Sequence, residues 1–510
     1  MAPDAEAGER MGALLQTGGI LMMSMTCFGL TACAVGPTYH LPSRPLPDSF
    51  VGPWDLTPAH AENAQIMSSG KDIPGQWWEC FHNAAVNVLV KRGLSHSPTL
   101  ATARFTLRAA QENVLAQYAG LLPNISGNAG WTREKFPYAQ SGIPNTNASW
   151  GYYDLHLAIG YDIDVWGGIR RGVERQAALR DAVAAQLQAA YLVLTANIVS
   201  TAINAAMLSR EMEEQQRLVA FEKEYLRTVE EQYKVGAASA TDVALQRTQV
   251  AEQSALVPDF RARLLNARHA LADLVGSFAS DSQIPAVDLD QFILPDELPL
   301  GVPSTLLEHR PDIRQASADL HAATAAVGVA EAARLPTFVV SGAWGDVAAH
   351  AAEFAVPGNG MAALAAQIVQ PIFQGGRLLH NQRQAEATLS ASAEHWRAVV
   401  YSAFRNVADV LTRIAGDRDA YDADVAAERA ASEALLLAQK QYRLGGVSYI
   451  TVLTTETAYQ RTLITLIEAR AARLSDSAAL FVSLGGGWWN RQDNPVLPDR
   501  IIPLDGSVPQ

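Results

Sequence analysis

Tyr152-Tyr153-Asp154-Leu155-His156-Leu157-Ala158-Ile159-Gly160-Tyr161-Asp162-Ile163-Asp164-Val165 alternates almost without fault. Tyr153, Leu155, Leu157, Ile159, Tyr161, Ile163 and Val165 fall on one side of an extended chain. Asp154, His156, Ala158, Gly160, Asp162 and Asp164 fall on the other. Successive side chains of a strand point to opposite faces, so the run predicts a strand with one apolar and one polar or small face. A half-buried strand of a soluble sheet carries the same pattern. The length of this run exceeds the ~5–6 residues of an ordinary globular strand and favours a barrel wall between lipid and water. A partner strand is expected from near Ile125, because Lys135 to Trp150 is rich in Pro, Asn, Ser and Gly, as an exposed loop should be.

The run belongs to the first of two copies. His96-Ser97-Pro98-Thr99-Leu100 then Ala103 recurs as His309-Arg310-Pro311-Asp312-Ile313 then Ala316. Leu122-Pro123 recurs as Leu335-Pro336, Arg175-Gln176-Ala177 as Arg383-Gln384-Ala385, and Gln232-Tyr233-Lys234-Val235-Gly236 as Gln441-Tyr442-Arg443-Leu444-Gly445. Agreement in one order at four separated sites marks an internal duplication. Each copy reads as a short helix, a helix, a strand pair, a very long helix, a tight turn and a long helix. Pro98 and Pro311 suit the first turn of a helix, whereas Pro123 and Pro336 end one. Thr337 to Gly345 and Met361 to Phe373 are the second strand pair. The expected parts are a signal over 1–32, an extended segment over 33–83, repeats over 84–290 and 303–489, and a tail over 490–510.

Four strands do not close a barrel, since the smallest spanning barrels have about eight. The chain is therefore expected to share its barrel with other copies. The long helices should start at Gly168 and Gly376 and end at Gly236 and Gly445. At ~1.5 Å per residue each spans roughly 100 Å, more than a globular core needs. After the first turn, Val243, Val250, Val257, Phe260, Leu264, Leu271 and Leu274 form a heptad-like seam, inside which Pro258 should kink or loosen the helix.

The two turns are the candidate interaction sites: Tyr233, Lys234, Val235, Gly236 and Ser239 in the first, and Tyr442, Arg443, Leu444, Gly445, Val447 and Ser448 in the second. A glycine after a helix adopts the left-handed cap, and a serine three residues on can cap the next helix. Those needs explain Gly236, Gly445, Ser239 and Ser448. They leave exposed Val235, Leu444 and Val447, beside Lys234 and Arg443, unexplained.

Met11 to Cys33 is mostly apolar or small and ends Leu30-Thr31-Ala32-Cys33, a lipobox in which Cys33 would carry a lipid. Arg10 is the one base ahead of the run, and Met1 and Met11 are both available as the start. Beyond residue 33 no uninterrupted apolar run approaches the ~20 residues of a spanning helix, so a membrane-crossing form would be a β-barrel.

Cys33-Ala34-Val35-Gly36-Pro37-Thr38-Tyr39-His40-Leu41-Pro42 and Trp77-Trp78-Glu79-Cys80-Phe81 resemble two signatures of the outer-membrane factor family of tripartite efflux systems, TolC-like and of the NodT branch. The resemblance implies an α+β membrane protein with four barrel strands and long α-barrel helices per protomer, completed as a trimer with a 12-stranded barrel on a 12-helix tunnel. It further implies an outer-membrane channel reaching into the periplasm, a periplasmic adaptor docking on the turns, and an inner-membrane pump of unspecified type. Many such proteins carry Leu-Asp-x-x-Arg after the second turn as part of an acidic, salt-bridged gate. This chain has Leu453-Thr454-Thr455-Glu456-Thr457, with Thr at both charged positions, so that gate is not carried over. Asp242 and Glu456 are the remaining candidate gate acids, each equally readable as a solvated surface charge.

A net charge of −13 argues against a nucleic-acid partner, which needs concentrated Lys and Arg. The sequence holds no Walker motif, H-E-x-x-H or paired-cysteine metal site, so neither an enzyme nor a cofactor is expected beyond the lipid on Cys33. A trimeric structural envelope lipoprotein without transport activity is the alternative reading.

Overall fold

The computed structural model describes residues 34–42, 47, 49–50, 65–136, 148–300 and 303–491. The signal over 1–32, Cys33 and the tail beyond 491 lie outside the described residues. In chain order the elements are β1 (Ile66–Ser69), α1 (Ala84–His96), α2 (Pro98–Tyr118), β2 (Asn124–Phe136), β3 (Ala148–Ile163), α3 (Gly168–Lys234) and α4 (Ala240–Leu274). They continue as β4 (Glu297–Leu300), α5 (Pro303–His309), α6 (Pro311–Ala332), β5 (Thr337–Ala348), β6 (Gly360–Val369), α7 (Arg377–Arg443) and α8 (Tyr449–Ser483). The expected order of each copy is present, with both prolines opening α2 and α6. Two compact units cut across the duplication. Of the described residues, one holds those up to Pro42 and those within Arg108–Ala182 and Ala316–Trp396, and the other holds the remainder.

The first unit contains one antiparallel sheet in the order β2-β3-β5-β6, so the two copies meet at β3 and β5. Registers confirm the two faces read from the alternation. Leu157 stands opposite Gly127 on one side and Trp344 on the other, and Trp344 opposite Ala362. On the other face Ala158 stands opposite Ser126 and Ala343, and Ala343 opposite Ala363. Leu155, Leu157, Ile159, Ile163, Trp344 and Leu364 are all exposed, so this apolar face has no cover among the described residues. Trp131 and Tyr153, 6.4 Å apart between ring centroids, lie on that face towards the loop-bearing end, as an interfacial aromatic girdle would. The second strand pair departs from expectation at its end. β6 stops at Val369 and not Phe373, since Pro371 lacks the N–H a ladder needs.

Asp164 sets the passage from β3 into α3. Its carboxylate accepts from the Ile169 and Arg170 N–H groups at 3.0 and 2.9 Å, satisfying donors that a helix start leaves open.

In the second unit the Trp77-Trp78-Phe81 signature forms a short 3-10 turn and is fully buried. Trp77 stacks on Phe481 at 5.7 Å, and Phe81 meets Phe292 and Phe481 edge-on at 6.5 and 6.4 Å. Such rings contribute ~0.5–1.5 kcal/mol per pair beyond their buried area. The α4 seam faces inward: Val243, Leu264 and Leu271 are buried, and Val250, Val257, Phe260 and Leu274 half-buried. Helix α4 runs through Pro258 uninterrupted. Helix α3 carries an 18-residue apolar window long enough to cross a membrane, but 56% of that window is buried inside the protein, as in a core helix.

Candidate functional site

Both turns follow one backbone plan. Gly236 and Gly445 have φ of 74° and 71°. The Ala237 and Gly446 N–H groups reach back to the Gln232 and Gln441 carbonyls at 2.8 Å each, and the Gly236 and Gly445 N–H groups to Tyr233 and Tyr442 at 3.0 Å each. These are paired Schellman closures. An added Cβ at either glycine would meet nothing within 4 Å, so the backbone conformation and not space selects Gly.

The helix starts beyond the turns differ. Ser239 Oγ accepts from the Asp242 N–H at 3.1 Å while the Asp242 carboxylate accepts from the Ser239 N–H at 2.8 Å, a reciprocal capping box. That bonding holds the Asp242 carboxyl below the usual range. Ser448 occupies the same position but makes no side-chain cap: the Thr451 N–H donates to the Ser448 carbonyl at 3.1 Å, the Ser448 Oγ lies 3.3 Å from the Thr451 hydroxyl, and threonine has no carboxylate to return the second bond of the box. Replacing Ser239 by Ala is therefore expected to destabilise its hairpin by ~1 kcal/mol, and Ser448→Ala by only a few tenths. Amide exchange of the first turns of α4 and α8 checks this, and equal effects would contradict the asymmetry.

The tip presents apolar side chains. Val235 and Leu444 are 79% and 87% exposed, with Tyr233, Lys234 and Arg443 exposed beside them. Val447, expected to be exposed, is half-buried. Ile450, which the sequence reading passed over, is 62% exposed. The Tyr442 hydroxyl donates to Gln232 Oε1 at 3.0 Å, setting the two turns side by side.

Behind the turns lies a layer that sequence reasoning missed. Tyr225 stacks on Tyr449 at 5.0 Å, and Tyr442 lies 6.0 and 6.1 Å from them. One turn deeper, Glu456 is 6% exposed and faces Glu222, 1% exposed, which accepts from Gln246 Nε2. Burial, then the neighbouring Glu222 charge, pushes the Glu456 carboxyl up to about 8. Of the two candidate gate acids, Asp242 is thus a helix cap and Glu456 a buried acid rather than a solvated charge. The available signal was position: Leu218, Glu222, Tyr225 and Val229 are spaced like a helix seam, with a carboxylate where an apolar residue is expected.

In the first unit the Val35–Pro42 segment is anchored closely. The Val35 N–H donates to the Trp166 carbonyl at 3.0 Å, and the Arg171 guanidinium donates to the Val35 and Gly36 carbonyls at 3.0 and 3.2 Å. Tyr39 stacks on His321 at 4.4 Å and shares a 2.7 Å hydrogen bond with Ser317. His321 and Arg171 both bind Glu174, and the His321 bond is the main reason its carboxyl lies below the usual range. Ala34, next to Cys33, packs on Gly167 at the β3–α3 junction. Among the described residues no cluster of three or more His, Cys, Asp or Glu side chains could hold a metal.

Comparison with known proteins bears on the same features. The family profile described as "Outer membrane efflux protein" matches residues 89–277 and 302–486. The pyoverdine export outer membrane protein OpmQ of Pseudomonas aeruginosa is 30% identical, over 92% of this chain and 97% of that protein. The toluene efflux pump outer membrane protein TtgC of Pseudomonas putida is 26% identical, over 93% and 97%. Among solved structures, the outer-membrane channel OprN superposes with a TM-score of 0.81 at 25% identity, over 89% of this chain and 100% of that one.

Proposed function

Since this chain belongs to the outer membrane efflux protein family and is an outer-membrane channel subunit of an efflux system, we propose that three copies close a passive duct fed by an inner-membrane pump through a periplasmic adaptor. The observation that carries the proposal is the β2-β3-β5-β6 sheet. Its apolar face is uncovered, its opposite face is small and polar, and its edge strands β2 and β6 each have one side unpaired among the described residues. Lipid does not tolerate an unpaired strand edge, so the sheet must be continued by other copies. Three sheets of four strands give a twelve-stranded barrel, within the range of spanning barrels.

Cys33 carries the lipid in this reading. What supports it is that its neighbour Ala34 packs on Gly167 at the junction where the apolar strand face ends, the level at which an acyl chain entering the membrane's inner surface would be needed. Val235, Leu444 and Ile450 receive the adaptor, with Lys234 and Arg443 at the rim of that patch. The cargo is a class of small molecules chosen upstream, because a wide aqueous duct offers no selective pocket; relatives of similar identity are named for pyoverdine export and for toluene efflux.

The test combines two measurements. A photoreactive residue at Leu444 is expected to capture a periplasmic adaptor in cells, and the purified trimer is expected to conduct ions in a planar bilayer once the tip is opened. Capture of only further copies of this chain, with no conductance, would favour the structural lipoprotein instead.

A further inference from the structure

Glu222 of α3, Gln246 of α4 and Glu456 of α8 meet in one buried layer, and among the described residues no basic side chain is paired with either carboxyl group. Every group facing the pair is neutral or acidic on the near side: Tyr225 from α3, Tyr442 from α7, Tyr449 from α8, and Asp242 beyond them near the turn. On the far side a cavity of about 330 Å³, bounded by α3, α4 and α8, is lined by both glutamates and by Asp259, Arg263 and Gln460. Arg263 lies over the Phe260 ring at 5.6 Å and acts on Glu211. One Glu222 oxygen, Oε1, is buried without a hydrogen-bond partner. Two carboxylates buried against each other do not readily both stay ionised, and one proton resolves the conflict by turning repulsion into a carboxyl–carboxylate hydrogen bond.

We propose that Glu222 and Glu456 form a proton-held latch that fastens the first turns of α8 to α3 behind the tip, and that loss of the shared proton to water through the adjoining cavity releases α8. The latch is a property of the helix packing alone. Its bearing on opening of the tip rests on the channel reading.

The sign follows from where the proton is held. Closed, Glu456 keeps its proton up to about pH 8; released into water, it would ionise near the ordinary ~4.5 of a free glutamate. Release therefore becomes easier as pH rises between those values and changes little above the upper one.

Backbone amide exchange over 451–460 in the purified full-length protein, corrected for intrinsic rates, reads this directly. From about pH 5 to about pH 8 the opening constant is expected to rise about tenfold per unit, then level off. Glu456→Gln, whose amide donates to Glu222 at every pH, is expected to remain protected with no slope. Asp259→Asn, across the cavity, is expected to keep the wild-type slope. A flat wild-type profile, or a slope that survives in both Glu456→Gln and Glu222→Gln, would overturn the latch. The readout does not depend on conductance, so a sloping profile in a protein that proves not to be a channel keeps the latch and rejects only the channel.

Discussion

Leu157→Arg is expected to keep the protein out of the outer membrane. Leu157 lies in the middle of β3 on the uncovered apolar face, with Gly127 and Trp344 as its cross-strand neighbours. A guanidinium at the lipid-facing midplane of a barrel costs about 2–4 kcal/mol. A closed trimer would carry that cost three times, roughly 6–12 kcal/mol, comparable with the ~5–15 kcal/mol that holds an ordinary domain together. The compact trimer band expected of the parent on unboiled gels should be absent, and the chain should leave the outer-membrane fraction. Ala158→Arg is the internal control. One residue further along, it points to the face shared with Ser126 and Ala343, where water is expected. That variant should assemble and shift ion selectivity towards anions. Loss of assembly in both variants would mean that the sheet does not separate lipid from water.

Gly36→Ala is expected to free the anchored segment that follows Cys33. Gly36 has a φ of 95°, where a side chain costs ~1–3 kcal/mol in backbone strain alone. An added Cβ would also stand 2.4 Å from the Gly328 Cα, against helix backbone that has no rotamer to yield. The bonds from Arg171 to the Val35 and Gly36 carbonyls would be lost with the contact. Limited proteolysis should then cut within 34–42 faster than in the parent by about a hundredfold, the equivalent of ~3 kcal/mol. Gly328→Ala strikes the same contact from the helix side, since its Cβ would lie 2.7 Å from the Val35 carbonyl oxygen. The double variant should therefore be little worse than either single one. Effects that add in full would show that the two glycines serve separate contacts.

Much of the architecture was legible because it repeats locally. Period two in Tyr153 to Ile163, proline at both helix starts, and glycine at 236 and 445 each report the conformation of a few neighbouring residues, and each was met in the structure. The turn residues were legible for the same reason. Their exposures were less so. Val447 is half-buried where Val235 and Leu444 are open, and Ser448 lacks the cap that Ser239 makes, while the aspartate that returns the second bond of the first box is a threonine in the second copy.

Sequence by itself determined the duplication, the strand faces, the long helices, the two glycine-closed turns and the need for other copies to finish the barrel. Those conclusions depend on periodicity and on steric rules that act within one or two turns of chain. Tertiary structure alone decided which side chains meet. The arithmetic of positions does not reveal that Glu222 faces Glu456, since they belong to different copies and come together only when α3, α4 and α8 settle in one register. Likewise Asp242 and Glu456 looked alike on a helix as lone acids. One is bonded to its own helix start and the other is buried against a second carboxyl group, and their proton affinities move in opposite directions for that reason.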